Sequence, residues 1–564
     1  MTYEIELAGS GPAAAAARAA FEDVDATVGT GFDDPALTLA VVPAGRDAAG
    51  LVGSDDRLVL VEIGGVGGRP IESLDAAVSV FDADGPRFDD LRTRVAATTD
   101  AEGSPSGDRS AVRLAGAVAG RRAVALLAGD TSVAGTTVEV SGTGIGAERP
   151  VLPVPDPDSR ARAVRRDHRS VDIDDSLARA ERALDERTGL VAQVGERESF
   201  PVPYYLARIA TTEGFSDARA AELAAGVDPD WDVAFMKALG EGLERYCAGV
   251  YRQAEFTVAP ERTRSRPVPP SAFVLPEDTA SVDPDTPIPW VAGEDLHTGE
   301  SASLPAEFVH YPPPSERHKP AITTGLGLGN SGAEALLSGL YEVIERDATM
   351  LAWYSSFEPL GLSVSDSRYE ELRKRARAED LSVTSLLVTQ DVDVPVVASA
   401  VHRDGEWPRF AVGSGASLGP ADAARSALAE ALQNWMELRS MGPEGAAEEG
   451  GAIGAHADFP AAAQSFVDPD VTVPAAEVGP ADVPAGEAEL SEALDRVADA
   501  GLDAYAARTT TADVASLGFE AVRVLVPAAQ PLFQGEPFFG ERARTVPESL
   551  GFEPQLDRAY HPYP

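Results

Sequence analysis

The chain has 564 residues, 44% of them hydrophobic, enough for two or three cored domains. Its 47 Lys and Arg stand against 91 Asp and Glu, a net charge of −44, and so negative a surface excludes a nucleic-acid partner. The single cysteine, Cys247, excludes a disulfide framework and any multi-Cys zinc site.

Lysine is confined to Lys237, Lys319 and Lys374, so arginine carries the positive charge. Acidic surface, scarce lysine and abundant alanine are the composition of a protein adapted to molar salt, which screens self-repulsion. The start of the chain has no positive region leading into an apolar stretch, and no apolar run approaches about 18 residues. The expectation is a soluble, cytoplasmic protein with no membrane partner.

From the N-terminus, Tyr3 to Leu7 alternates like a strand. Gly9-Ser10-Gly11-Pro12 then leads into an Ala-rich helix pattern, and the Gly-x-Gly reads as a tight strand-to-helix turn before it reads as a nucleotide loop. Leu37–Val42 and Leu58–Ile63 are apolar strands, and residues 64–68 form a glycine turn. Prolines 150, 153, 155 and 157 stiffen a linker. The expected division is a small α/β domain over 1–150, a linker over 151–170 and a large α/β domain over 171–564. Helices are expected near 216–250, 331–350 and 421–440. Strands are expected at 386–389, 394–401 and 522–526. The Ala/Gly/Pro/acidic stretch 442–488 reads as a solvated surface loop. Cys247 reads as a helix-packing residue rather than a nucleophile.

One local pattern recurs three times. Leu239-Gly240-Glu241-Gly242-Leu243-Glu244, Leu340-Tyr341-Glu342-Val343-Ile344-Glu345 and Leu428-Ala429-Glu430-Ala431-Leu432-Gln433 all read Leu-x-Glu-x-(Leu/Ile)-(Glu/Gln). Residues three apart share a helix face. Here that face is flanked by apolar residues, so the carboxylates face burial and mutual repulsion. A hard divalent cation relieves both, and Mg²⁺ takes one or two carboxylates together with substrate phosphates. Arg245 and Arg346, each following its second glutamate, suit phosphate or the carboxylates themselves.

The second copy is entered through Thr323–Gly332, with Asn330 or Ser331 as N-cap, and the third through Gly413–Gly419. Glycines ahead of a helix N-terminus make a phosphate cradle. Glu334 lies about three helical turns before Glu345, on the same side. No Gly-x-x-x-x-Gly-Lys-(Ser/Thr) and no His-Glu-x-x-His occurs, so neither a P-loop nor a His-ligated metal is expected.

At these residues the sequence resembles the YcaO family. The matching stretches are Gly240–Tyr246, Thr323–Arg346 and Gly413–Gln433, with shorter ones at 187–191, 201–203, 522–524 and 539–542. The resemblance covers 171–564 and implies a YcaO-type α/β domain holding Mg²⁺–ATP without a P-loop. It implies that Glu241, Glu244, Glu342, Glu345 and Glu430 hold Mg²⁺, and that Asn330, Glu334, Arg346, Gln433 and Arg245 contact ATP.

The implied reaction is ATP-dependent activation of a peptide amide. A Cys, Ser or Thr side chain adds to the preceding carbonyl, and the amide oxygen leaves as phosphate, giving an azoline. Related members use external sulfur or an amine, delivered by a separate protein, and make thioamides or amidines. Many azoline-forming members end in Pro-x-Pro-x-Pro, a tail that reaches the active site. This chain ends Tyr560-His561-Pro562-Tyr563-Pro564, which assigns Pro562 and Pro564 to that tail.

The N-terminal region resembles a reduced E1-like (ThiF-like) domain on residues 61–68, 74–78 and 91–95. Relatives carry Cys-x-x-Cys where Arg87-Phe88-Asp89-Asp90 stands, so no zinc is expected. The partners implied are a peptide or protein substrate and a leader-binding or nucleophile-delivering protein; a homodimer is the base-rate assembly. A rival reading, drawn from the short N-terminal domain, is a non-catalytic ATP-binding scaffold.

Overall fold

A computed structural model describes residues 3–22, 24–46, 57–101, 103–155, 161–279, 283–449 and 451–564; Pro157 of the expected linker lies outside them. The chain divides into two compact units, neither continuous in sequence. The first takes residues 1–159, 181–193 and 209–217; the second takes 160–180, 194–208 and 218–564.

The first unit contains β1 (Tyr3–Ala8), α1 (Pro12–Ala19), β2 (Ala26–Gly29), β3 (Leu37–Pro43), β4 (Leu58–Ile63), β5 (Gly65–Val66), β6 (Arg69–Pro70), β7 (Ala76–Phe81), α2 (Phe88–Thr98), α3 (Arg109–Leu127), β8 (Thr136–Ser141) and β9 (Gly144–Pro150). Its sheet runs β2-β1-β3-β4-β7-β8-β9. The first four strands are parallel and the last three join antiparallel. β3 and β4 are apolar without alternation because both their faces are covered. Ala13, Ala17, Ala115 and Ala119 of α1 and α3 pack on one side, and Phe88, Leu91 and Val95 of α2 on the other. The Gly-x-Gly turn is structural. Gly9 has φ +116°, and a Cβ there would lie 2.5 Å from the Val41 carbonyl oxygen.

The rest of the chain supplies α4 (Ile173–Ala180), β10 (Val191–Glu198), β11 (Tyr204–Ile209), β12 (Leu223–Val227), α5 (Trp231–Gly249), β13 (Thr257–Ala259), β14 (Ile288–Asp295), β15 (Ser301–Pro305), α6 (Ala306–Val309), β16 (Leu326–Gly329) and α7 (Gly332–Trp353). It continues with β17 (Leu360–Ser363), α8 (Ser367–Ala378), β18 (Ser382–Leu387), β19 (Val396–His402), β20 (Phe410–Ala416), α9 (Pro420–Glu449), α10 (Gly451–His456), α11 (Ala461–Phe466), β21 (Thr472–Pro474), α12 (Glu487–Asp499), β22 (Tyr505–Arg508), α13 (Ala512–Ser516), β23 (Glu520–Leu525) and α14 (Arg542–Leu550). One sheet runs β13-β14-β22-β23-β16, with β15 on β14; a second runs β20-β19-β18-β17-β21. The helix α7 lies between them. Leu336, Leu340 and Ile344 share a core with Val522 and Val524 of the first sheet and with Ala398 and Val412 of the second. The far side of the second sheet is covered by α9, whose Leu428 and Leu432 meet Val397, Val401 and Ala411.

Two expectations are corrected. The helix expected from residue 216 begins at Trp231. Residues 223–227 pair antiparallel with β11 instead, and Asp230 caps α5 by accepting from the backbone N–H of Asp232 at 3.0 Å and Val233 at 3.3 Å. The stretch 442–488 is a solvated loop only in its second half, since most of residues 467–486 are exposed and largely irregular. After the break at Gly442 (φ +77°) it forms short helices, and Ala446, Ala463 and Phe466 are buried. Phe466 meets the ring of Trp353, so an Ala-rich sequence still carries enough apolar surface to pack. Among the described residues, no helix is long and apolar enough to cross a membrane. Cys247 is buried within α5.

Candidate functional site

Each Leu-x-Glu copy belongs to a strand–helix unit: β12 with α5, β16 with α7 and β20 with α9. Gly226, Gly327 and Gly415, each fifteen residues ahead of its glutamate, touch the helix backbone. A Cβ would lie 2.2 Å from the Ala234 oxygen, 2.2 Å from the Ala335 oxygen and 2.5 Å from the Ala423 oxygen respectively. The glycines therefore let helix and strand backbones meet. The phosphate cradle expected at 323–332 and 413–419 is corrected accordingly, since Gly327, Gly329, Gly413 and Gly415 are strand residues. Ser331 occupies the N-cap of α7 without a capping bond, and its hydroxyl is buried without a partner.

This close contact positions the first carboxylate of every copy. Glu241 accepts from the Ala225 N–H at 2.8 Å, Glu342 from the Gly325 N–H at 2.9 Å and Glu430 from the Ser414 N–H at 2.6 Å. A backbone amide in the strand, or for Glu342 in the turn just before it, thus fixes each of these glutamates on the facing helix.

The second carboxylates are held differently. Glu345 accepts from the Ser414 hydroxyl at 2.7 Å and lies 3.4 Å from Arg346. Glu244 makes no hydrogen bond among the described residues. Burial, then the facing Glu342 and Glu241, push Glu244 up to about 8. Burial pushes Glu345 up to about 7, with Glu430 and Glu342 adding to the rise and Arg346 opposing it. Burial raises Glu430 too, against Arg346 at 3.6 Å. Like charges in a dry site share protons until a cation replaces them. The five glutamates outnumber the arginines beside them, Arg245 and Arg346, and a Mg²⁺–triphosphate would supply the missing positive charge. Among the described residues no three His, Cys, Asp or Glu already stand in a metal-holding arrangement. The oxygen donor set fits Mg²⁺ by chemistry.

The other expected residues divide into those at the cluster and those beside it. Arg346 bridges Glu345 and Glu430. Arg245 donates to Glu241 at 2.8 Å, so it balances a carboxylate within α5. Gln433, one turn after Glu430, donates to Glu437 at 3.0 Å. Asn330 and Glu334 stand at the start of α7, where the Glu334 carboxylate accepts from the Asn330 N–H at 2.7 Å. Around Asn330 the structure gathers residues that sequence reasoning missed. Its side-chain oxygen accepts from the Ser176 hydroxyl at 3.0 Å and from Arg179 at 2.5 Å, and Arg179 lies 4.9 Å over the Phe519 ring. No spacing rule links residue 176 to residue 330.

The C-terminal tail is packed inside. His561 is buried, donates its N–H to the Tyr354 hydroxyl at 3.1 Å and sets its Nε2 2.9 Å from the Phe533 oxygen. Burial holds its imidazole down at about 4. Pro562 is buried and Pro564 half-buried. Tyr563, between them, is fully buried with an unpartnered hydroxyl; burial pushes its phenol up, and the charges of Arg346, Glu345 and Glu430 act on it. The tail therefore ends at the carboxylate cluster.

Beside the cluster lies a cationic cavity of about 40 Å³, lined by Lys319, Thr324, Arg346, Arg523 and Gln530. It shares Phe273 and Val274 with a larger cavity of about 560 Å³. Arg523 comes from β23 and donates to the Thr323 oxygen at 2.8 Å and the Ile322 oxygen at 2.9 Å. Lys319 was also missed by sequence reasoning, and Arg523, though inside the matching stretch 522–524, was given no role there, because neither lies in a copy of the repeat.

With this geometry in hand, comparisons with known proteins give consistent findings. A family model described as YcaO cyclodehydratase, ATP- and Mg²⁺-binding, matches residues 225–530. A protein of Rhizobium leguminosarum bv. trifolii, named for the 3′ region of tfuA, is 29% identical over 184 residues, 29% of this chain; the match spans 44% of that relative, less than half its length. A protein of Methanothermobacter thermautotrophicus is 28% identical over 330 residues, 55% of this chain and 82% of its own. Among solved structures, a heterocyclase in complex with substrate and cofactor has a TM-score of 0.72 at 18% identity, covering 97% of this chain and 83% of that one. A YcaO protein from Methanopyrus kandleri, bound with AMPPCP and Mg²⁺, has a TM-score of 0.51 at 24% identity, covering 66% of this chain and 95% of its own. At these identities the structural likeness shows a shared fold.

Proposed function

The chain belongs to the YcaO family of ATP- and Mg²⁺-binding cyclodehydratases, and from that premise we propose that it closes azoline rings in a ribosomally made peptide. The observation that carries this reading is the convergence of three carboxylate helices and the C-terminal tail on one buried, under-compensated cluster.

In this reading Glu241, Glu244, Glu342, Glu345 and Glu430 hold Mg²⁺. When bound, Mg²⁺–ATP supplies the phosphoryl group and the charge that the cluster lacks. Asn330 and Glu334 contact the nucleotide at the start of α7, with Ser176 and Arg179 orienting Asn330. Arg346 keeps Glu345 and Glu430 apart from each other's charge and faces the phosphates. Gln433 extends the third helix face toward the nucleotide. Arg245 orients Glu241 through their hydrogen bond. The tail, with Pro562, Tyr563 and Pro564, closes the site against water and orients the peptide, an entropic contribution to rate. The side chain of a peptide Cys, Ser or Thr gives its S–H or O–H proton to solvent as it adds to the preceding carbonyl carbon. The amide oxygen takes the γ-phosphoryl group, and phosphate leaves with that oxygen as the C=N bond forms and the amide proton goes to solvent.

We assign the first unit, with its mixed seven-stranded sheet, to a reduced E1-like domain that presents the peptide. The division into residues 1–150, 151–170 and 171–564 is the functional one we propose.

The test is to incubate the protein with ATP, Mg²⁺ and Cys-, Ser- or Thr-containing peptides whose amide carbonyls carry an oxygen isotope. Loss of one water per ring with the label in released phosphate supports the reading. Phosphate released without label, or peptide left unchanged by every sequence tried while ATP is bound, contradicts it and favours a scaffold.

A further inference from the structure

The chain keeps only three lysines, and two stand on the surface: Lys374 is exposed, and Lys237 pairs with Asp228 at 2.8 Å. Lys319 is different. It lies over the rings of Phe308 at 5.2 Å and Phe273 at 5.7 Å, and has no hydrogen bond or ion pair among the described residues. The loop that carries it is fastened from behind. Glu307, itself buried, accepts from the backbone N–H of Arg317 and His318 at 2.8 Å each and lies 2.7 Å from the His318 Nδ1.

Arg523 faces the same cavity. It is 5% exposed, and its Nε is buried without a partner even though both its terminal nitrogens donate to carbonyls. A buried guanidinium N–H left unpaired costs free energy unless a ligand takes it. Two cations therefore line one cavity, one with a vacant donor and the other with neither a hydrogen bond nor an ion pair among the described residues; Glu307 acts on Lys319 only from behind the loop, its oxygens taken by Arg317 and His318. Burial, then Arg523, pull the Lys319 amine down to about 8, with Glu307 opposing them. The cavity volume of about 40 Å³ holds about three waters, which suits one small oxyanion and not a nucleotide.

We propose that Lys319 and Arg523 form an oxyanion subsite for the phosphoryl group that the reaction moves. The inference rests on the amide-activation reading given above. When the bond between the amide carbon and its oxygen breaks, the electron pair stays on that oxygen and phosphate departs carrying it. Lys319 and Arg523 accept that charge beside the carboxylates, and the larger cavity past Phe273 and Val274 gives phosphate its way out. The same chemistry would serve the γ-phosphate while still on ATP, and the experiment separates the two.

The experiment is equilibrium dialysis of radiolabelled inorganic phosphate against wild type, Lys319→Met and Lys319→Arg, in saturating ADP and Mg²⁺. Lys319→Met should weaken phosphate binding by at least about tenfold, on the scale of one charge-assisted hydrogen bond. Lys319→Arg should keep it within a few-fold. In parallel, cyanate carbamoylation of wild type is mapped by peptide mass at the three lysines. Protection of Lys319, but not of Lys237 or Lys374, by phosphate with ADP assigns the subsite to product phosphate. Protection by AMPPCP alone assigns it to the γ-phosphate. Equal phosphate affinity in wild type and Lys319→Met, or Lys319 modified equally with and without both ligands, overturns the subsite while ATP binding leaves the function standing. Wild type that binds no ATP with Mg²⁺ overturns both. Should Lys319→Met fail to fold, the carbamoylation result decides.

Discussion

Glu62 in the first unit and Glu244 in the second are both carboxyls that burial pushes toward neutrality, to about 7 and about 8. Their surroundings differ. Glu62 accepts from the Gly67 N–H at 2.7 Å and the Gly68 N–H at 2.6 Å, so both its oxygens are used in shaping the glycine turn. Glu244 makes no hydrogen bond among the described residues, and its nearest influences are other carboxylates. A buried acid whose oxygens are occupied by backbone amides is a structural element. One whose oxygens are open and faced by like charge is a binding element awaiting a cation. Burial alone does not tell the two apart; the donors around them do.

The largest effect is expected at Arg346. Arg346→Met leaves Glu345 and Glu430 without their shared cation. Removing one partner from a buried pair costs about 3–5 kcal/mol, so nucleotide-free protein should lose that much in denaturant unfolding, and adding Glu345→Gln should restore part of it. A next, smaller effect concerns the tail. Deleting Pro562–Pro564 should leave ATP affinity within a few-fold and lower turnover by about 10²-fold, the scale of misplaced substrate. Single-turnover kinetics beside calorimetry would show the split.

The pH dependence of metal binding comes third. Glu244 and Glu345 hold protons up to about 8 and about 7 in the metal-free protein, and Mg²⁺ takes the ionised form. Mg²⁺ affinity should therefore rise with pH through this window, about tenfold per unit for each proton displaced, and level off above it. Calorimetry in buffers of different ionisation enthalpy counts the protons released. A flat profile would mean that the carboxylates already carry their charge.

The smallest change is expected at Glu62. Glu62→Gln should leave ATP affinity untouched and cost about 1 kcal/mol for one weakened hydrogen bond. Its folded-state value of about 7 lies above the ordinary 4.5. The stability it contributes is thus present below 4.5 and lost as pH rises through about 7. That slope should vanish in Glu62→Gln, as unfolding curves across the range would show.

Much of the site was legible in the sequence because it sits on helices. Three copies of Leu-x-Glu-x-(Leu/Ile)-(Glu/Gln) place their acids on one face by helical period alone. The repeat reaches further than the motif: a glycine fifteen residues ahead of Glu241, Glu342 and Glu430 meets a helix backbone in every copy. That part read as a phosphate cradle because a glycine run before a helix looks the same whether the glycines sit in a loop or in a strand pressed on the helix. The roles of Lys319, Arg523, Ser176 and Arg179 were not legible for another reason. These residues come from a loop, a strand and a separate helix, and no periodicity connects them. The buried segment after Gly442 was missed because alanine and glycine carry weak hydrophobic signal, although Ala446, Ala463 and Phe466 pack inside.

We propose that glutamates held by backbone amides on three helices bind ATP through Mg²⁺. Calorimetry of ATP into wild type and Glu342→Ala, each with and without Mg²⁺ and each shown to be folded in the same salt, tests it most directly. Saturable binding in wild type that needs Mg²⁺ and is lost in Glu342→Ala is the expected result. Binding of equal strength in Glu342→Ala, or in wild type without Mg²⁺, would contradict it.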